Sequence, residues 1–150
     1  MNEYLKVTGD VHILQLDQNK QVVDERNIKN LVVNIGRNTI AARLTGNAQP
    51  NVYFMSVGTS GTGASYTDTG LISLVSGSNT AITSATVLAN VITYSATFSP
   101  GVGTGALQEA GLFSSHGVTS SGNLFCRTTF STVNKGAADT VIITWTVNIA

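Results

Sequence analysis

The side chains that could bind a metal are few, and their spacing fits no common metal site. The chain has two histidines, His12 and His116, in different local contexts, and one cysteine, Cys126. Zinc sites usually pair Cys or His residues a few positions apart, and no such pair exists here. We expect both histidines at the surface or in turns, and Cys126, inside an apolar run, as a small buried hydrophobic residue. The sequence therefore predicts no metal site.

The serine, glycine and acidic residues likewise fit no catalytic motif. The glycine-rich stretch 58–65 lacks the Lys-Ser/Thr ending with which a phosphate-binding loop holds phosphates and Mg²⁺. No Gly-x-Ser-x-Gly nucleophile motif is present. Asp68 and Glu109 are the acids of the central region; they could meet in space as a glycosidase pair, but nothing in the sequence says that they do. We therefore predict no catalytic residue, no cofactor and no enzymatic activity.

Glu109 lies within an otherwise apolar strand pattern, residues 107–113. A carboxylate near a core must be hydrogen-bonded or paired with a cation, and Arg127 on a following strand is a candidate partner. The alternative is a glutamate that points to solvent at the end of its strand. A pair formed between two chains would help to fix the register of an assembly, so Glu109 and Arg127 are both candidate assembly contacts.

Charged residues are scarce and unevenly distributed. They make up 11% of the chain, with 8 basic and 8 acidic residues, whereas about 25% is typical. Between Leu44 and Gln108 the only charged residue is Asp68. Because charge is depleted at interface cores, this stretch favours packing against neighbouring subunits over a hydroxyl-rich surface that is simply solvated. The scattered basic residues predict no nucleic-acid binding, and no apolar window reaches the roughly 20 residues of a membrane helix.

The N-terminal third of the chain predicts an arm, a hairpin and one helix. Residues 1–10 are expected to form an arm whose apolar groups have no local partner; these are Tyr4, Leu5 and Val7. Residues 11–27 carry a hairpin signal with a turn at 17–20. Residues 31–45 are the one helix candidate, with an apolar face followed by Gly46 as a possible C-cap. The members of that face are Leu31, Ile35, Ala41 and Leu44.

The rest of the chain predicts strands and loops. Strands are expected at 52–57, 71–75, 82–88, 91–98, 107–113, 124–130 and 141–149. The alternation is clearest in the last of these, where Val141, Ile143, Trp145 and Val147 face one way. Short strands separated by turn signals predict a mainly β protein, an antiparallel, jelly-roll-like β-sandwich. Residues 11–150 would form this single domain, with 1–10 as its arm.

Several short blocks resemble a group of structural proteins from tailed bacteriophage virions. The blocks are Val57-Gly58-Thr59, Asp68-Thr69-Gly70-Leu71, Glu109-Ala110-Gly111-Leu112-Phe113, Leu124 to Phe130, and Lys135 with Asp139 to Val147. They span roughly residues 50–150. The resemblance implies a β-sandwich that assembles rather than catalyses, either as a capsid cement (decoration) protein or as a tail or fibre component.

The resemblance implies a virion protein, and we expect it to be made in the cytoplasm of a bacterial host, because residues 1–10 show no signal-peptide pattern. We expect it to be a capsid cement protein that binds other virion proteins, the major capsid protein first among them, and to form a homo-oligomer, with a trimer favoured. A tail-tip, baseplate or fibre-associated protein is the first alternative, and a carbohydrate-binding module is the second. The candidate contacts are Tyr4, Leu5, Val7, Thr59, Tyr66, Val102, Glu109 and Arg127.

Overall fold

The computed structural model describes residues 3–114 and 123–150. These residues form one helix and strands in two sheets. In chain order the elements are β1 (Val7–Leu16), β2 (Val22–Lys29), β3 (Leu31–Val32), α1 (Asn34–Leu44), β4 (Phe54–Gly58), β5 (Thr80–Ala81), β6 (Ser84–Leu88), β7 (Val91–Phe98), β8 (Gly105–Phe113), β9 (Leu124–Lys135) and β10 (Thr140–Ile149).

The two sheets are antiparallel, and each contains five strands. Sheet A has the order β2-β1-β10-β7-β6, and sheet B has the order β3-β9-β8-β4-β5. The predicted mainly β, antiparallel sandwich is therefore confirmed. The described residues supply ten strands, two more than an eight-stranded jelly roll has.

Sheet A shows the alternation that the sequence predicts. In β10 the side chains of Val141, Ile143, Trp145 and Val147 are buried, as expected. Trp145 pairs with Val11 of β1 on one side and with Tyr94 of β7 on the other, so the indole lies at the centre of the sheet. These inward side chains and those of sheet B form the main hydrophobic core.

Sheet B is covered on both faces, which period-2 patterning alone does not reveal. Its outer face carries a second, smaller cluster made by Val33, Leu71, Phe113 and Leu124. Period-2 alternation would place Leu124 on the same face as Cys126. However, the β8–β9 register shifts next to Phe113, and Leu124 lies in the second cluster while Cys126 lies in the main core.

The arm is shorter than predicted. Residues Val7 to Asp10 belong to β1, because β10 extends to Ile149 and supplies backbone partners for them. Lys6 adds backbone hydrogen bonds to Ala150. Only residues 3–6 of the described chain precede the sheet.

The helix is confirmed, but its start and its predicted apolar face need correction. Leu31 pairs with Arg127 as part of β3, so the helix begins at Asn34. Leu44 is exposed and does not contribute to the core. The close packing of α1 on β9 requires a glycine at Gly36, because a Cβ there would overlap the carbonyl of Phe125.

Candidate assembly surface

Arg127 is the centre of a buried ionic cluster. Its Nε donates to Glu109 Oε2 at 2.9 Å, and its Nη1 donates to Asp68 Oδ2 at 2.9 Å. Its Nη2 donates to the carbonyl oxygen of Thr62 at 2.8 Å. The predicted pairing of Glu109 with Arg127 is therefore confirmed within one chain, and Asp68 is a third member that the sequence did not identify.

Glu109 also holds the long loop between β4 and β5 against sheet B. Its two carboxylate oxygens accept hydrogen bonds from the backbone N–H of Ile72 (3.0 Å) and Ser73 (2.7 Å). The approach is so close that a Cβ at Gly58 would overlap the Glu109 carboxylate and the Ser73 carbonyl. Arg127 binds the same loop through Thr62 and Asp68, so one cation and two carboxylates fix residues 62–73.

The cluster lies in the interior of the chain. Glu109 and Arg127 are both fully buried, so the prediction that they are assembly contacts is wrong. The reason is that the loop covers this face of the sheet and takes up the hydrogen-bonding capacity of both side chains. Charged groups are retained in an interior when they are paired and hydrogen-bonded, as these are.

The same contacts involve the only charged residue between Leu44 and Gln108. Asp68 directs its carboxylate to Arg127 and accepts a second hydrogen bond from the backbone N–H of Ser65 at 2.8 Å. The one charged group in the central part of the chain is therefore used in contacts within the chain. The surface that residues 45–107 present is formed by neutral side chains.

Four of the predicted contact residues lie around one groove. Tyr4, Leu5, Val7 and Tyr66 line a groove of about 560 Å³ together with Leu44 and other residues of α1 and β3. The side chains of Tyr4 and Leu5 are 80% and 66% exposed. We call this the arm groove. It brings together the two regions, the arm and the long loop, that the sequence treated separately.

Tyr66 is held in place at the edge of the arm groove. The guanidinium of Arg37 lies over its ring at 4.4 Å from the ring centre, within the range of a cation–π contact. Its carbonyl oxygen accepts a hydrogen bond from the backbone N–H of Asn34 at 2.9 Å. The start of α1 thus fixes this part of the loop.

Thr59 and Val102, the two remaining predicted contacts, do not line the arm groove. Thr59 is exposed, but its backbone N–H and its hydroxyl both bond to Ser73. Val102 is half-buried and packs against the main core. Thr59 therefore remains an exposed candidate contact outside the arm groove, whereas Val102 contributes mainly to the core.

A second buried polar cluster was not predicted. The Nζ of Lys135 donates to the carbonyl oxygens of Ser99 and Asp139, and burial lowers the pKa of its ammonium group. Gln15 donates to Asn134 and to the Asp139 carboxylate. A signal for Gln15 was present, since it shares the period-2 register of the buried residues Val11 and Ile13.

Cys126 and His12 are the remaining candidate residues within the described part of the chain. Cys126 is buried as predicted, and burial raises the pKa of its thiol well above the usual value, which disfavours the reactive thiolate. His12 bonds to Glu25 at 2.8 Å, and His116 lies outside the described residues. Within the described ranges, no group of three or more His, Cys, Asp or Glu side chains could hold a metal ion.

Comparison with known proteins adds no assignment. No family model, no curated protein and no solved structure matches the chain. In the part of the chain that the structure describes, no helix is long and apolar enough to cross a membrane.

Proposed function

We propose that this chain is a non-enzymatic structural protein of a tailed-bacteriophage particle, and that it acts as a capsid cement protein. The observation that supports the proposal is the arm groove, where Tyr4 and Leu5 are exposed beside Leu44 and Tyr66. Contiguous exposed apolar groups are typical of interaction sites. We infer the kind of particle, a tailed-bacteriophage virion, from the resemblance of residues 50–150 to virion proteins.

The mechanism would be preferential binding to the assembled shell. A protein that binds only the assembled, expanded state of the shell stabilises that state by its binding free energy. Many copies bound at junctions between capsomers would add avidity. The arm, with its two exposed apolar side chains, is the segment best placed to lie on a neighbouring protein.

The arm groove can be tested by cosedimentation with purified capsids. The double variant Tyr4→Ser/Leu5→Ser removes exposed apolar groups outside the sheet, so we expect an unchanged thermal midpoint and weaker capsid binding. A matched control is Val22→Ser/Val23→Ser, which removes two exposed apolar side chains from β2. Equal capsid binding by both double variants and the wild type would exclude the arm groove as the contact.

The stoichiometry in virions separates the cement role from the first alternative, a tail-tip, baseplate or fibre-associated protein. A cement protein is present at a copy number comparable to that of the major capsid protein, whereas a tail protein is present in few copies. Quantitative mass spectrometry of purified virions measures this ratio. Absence from the virion would overturn the proposal as a whole.

The second alternative, a carbohydrate-binding module, would use an exposed aromatic platform. Trp145 is fully buried in the core, and one face of Tyr66 is covered by Arg37. Trp145 therefore offers no platform, and a sugar-binding surface would have to use exposed tyrosines such as Tyr4 and Tyr53. Strong and selective binding on a glycan array would favour the carbohydrate-binding module instead.

A further inference from the structure

The four edge strands of the two sheets differ in how they are protected against pairing with another chain. The edges of sheet B, β3 and β5, are two residues long. The edge strand β2 of sheet A carries four charged residues: Asp24, Glu25, Arg26 and Lys29. Short length and charge are the devices that normally block edge-to-edge association.

The remaining edge, β6, has neither protection. It is five residues long, has the sequence Ser-Ala-Thr-Val-Leu, and all five residues are exposed. The side chains of Val87 and Leu88 are 71% and 81% exposed. An exposed, uncharged edge strand presents unpaired backbone groups to any compatible strand.

The hairpin that β6 forms with β7 determines which backbone groups are free. Leu88 and Val91 flank the two-residue turn Ala89-Asn90, and Ala89 has the positive φ, 53°, that such a turn requires. The residues that flank the turn form a hydrogen-bonded pair, and such pairs alternate along an antiparallel ladder. The N–H and C=O groups of Ala85 and Val87 therefore point away from β7, toward the open edge.

We propose that β6 pairs antiparallel with β6 of a second copy of this chain, about a two-fold axis at Thr86. In this register Ala85 lies opposite Val87 of the second copy, and Val87 lies opposite its Ala85. Both pairs consist of residues with outward N–H and C=O groups, so four backbone hydrogen bonds form. The two five-stranded A sheets become one ten-stranded sheet.

The side chains of β6 are complementary to themselves in this register. Large Val87 meets small Ala85, and both lie on the side of Ile92 and Tyr94, their partners in β7. Thr86 meets Thr86 of the second copy on the opposite face, a favourable cross-strand pair. In a strand that pairs with its own copy, any charged side chain lies near the same charge of the second copy. β6 has no charged residue, so no such repulsion opposes the pairing.

A groove beside β6 extends the contact area. It measures about 560 Å³ and lies between β6, α1 and residues 50–53. Its lining includes Ala85, Val87 and Ile92 from sheet A and Ile40, Val52 and Tyr53 opposite them. Val87 of the second copy would project from the added strand on this same side, so the contact buries apolar side chains as well as backbone groups.

Charges introduced at the two-fold axis test the pairing. Thr86→Lys and Thr86→Glu each place like charges opposite each other, which is destabilising in an antiparallel pair. We expect each variant alone to dissociate up to roughly fivefold more readily, and an equimolar mixture of the two variants to recover the dimer. Val23→Lys on β2 is the matched control and should leave the dimer unchanged.

A second variant removes the backbone contact itself. Val87→Pro deletes an outward N–H at an edge position, where proline is tolerated, and should give the 15.6 kDa monomer with an unchanged circular dichroism spectrum. Sedimentation equilibrium of the full chain measures all of these masses, and the wild type should have twice the monomer mass.

Three results would overturn the proposal: a monomeric wild type, a trimer unaffected by substitutions at Thr86, or an equimolar mixture of Thr86→Lys and Thr86→Glu that fails to pair. If the wild type is monomeric and its Thr86 variants lose capsid binding, β6 contacts another virion protein instead. The pairing does not depend on the particle, so its failure would leave the cement role untouched.

Discussion

Arg127 and Asp68 are 59 residues apart in the sequence, yet the Nη1 of the arginine lies 2.9 Å from the Oδ2 of the aspartate. This contact joins the second-last strand to the middle of the long loop. Glu109 completes the cluster from β8, so three distant parts of the chain meet at one buried cation. The expected consequence is that loop order and sheet stability are linked.

Removing the cation should be costly. Arg127→Met leaves the Glu109 carboxylate buried without its counter-charge, and breaking a buried ion pair in this way typically costs about 3–5 kcal/mol. Urea denaturation would give the free energy of unfolding. Glu109→Gln and the double variant complete a double-mutant cycle, in which a coupling energy near zero would show that the two side chains act independently.

Asp68→Asn should have a smaller and more local effect. It keeps the shape of the side chain but removes the charge that faces Arg127, so we expect a loss of about 1–3 kcal/mol. Amide hydrogen exchange should accelerate around Ser65 to Ser73 while β10 remains protected. Asp10→Asn is the matched control, because Asp10 forms an exposed pair with Lys29 and exposed pairs contribute little.

The sequence predicted most of the strands because one face of sheet A is buried and the other is not. Alternation in Val91–Phe98 and Thr140–Ile149 follows directly from that difference. It failed in β9, where both faces are covered and a register shift moved Leu124 to the outer cluster. Periodicity cannot report a bulge or a covering loop, since both depend on contacts made far along the chain.

The candidate surface could be predicted only in part for the same reason. Tyr4 and Leu5 are exposed, as their lack of local partners indicated. Glu109 and Arg127 were correctly paired but wrongly placed at an interface, because the loop that buries them has no regular pattern. The open edge of β6 depends on strand order, which no local signal in residues 84–88 encodes.

The buried ammonium group of Lys135 should make the stability of the protein depend on pH. Burial lowers the pKa of its ammonium group below the ordinary value of 10.5, so between the native pKa and 10.5 the unfolded chain binds more protons than the native one. Stability contributed by this site should therefore rise with pH across that window. The measurement is the free energy of unfolding of the wild type minus that of Lys135→Met. This difference should rise with pH between the native pKa of Lys135 and 10.5.

A difference that falls with pH for Lys135→Met would mean that the native protein favours the charged ammonium. The interaction with Asp139, which acts in that direction, would then outweigh burial.

Cys126 should be inert until the protein unfolds. Its thiol is buried, and burial raises its pKa well above the ordinary value, so little thiolate exists at neutral pH and none is accessible. Labelling by a thiol reagent should follow the population of the unfolded state as urea is added. Rapid labelling in the absence of denaturant would reveal local opening of β9 next to β3.

Trp145→Ala should be among the most destabilising single substitutions in the chain. The indole is fully buried between Val11 and Tyr94 at the centre of sheet A, and replacing a buried Trp by Ala typically costs about 3–5 kcal/mol. Trp145→Phe should cost less, because it keeps most of the ring volume and removes an indole N–H that has no hydrogen-bond partner among the described residues. Chemical denaturation of both variants, with Val23→Ala as an exposed control, gives the comparison. A near-neutral Trp145→Ala would mean that the core face of β10 is assigned to the wrong side.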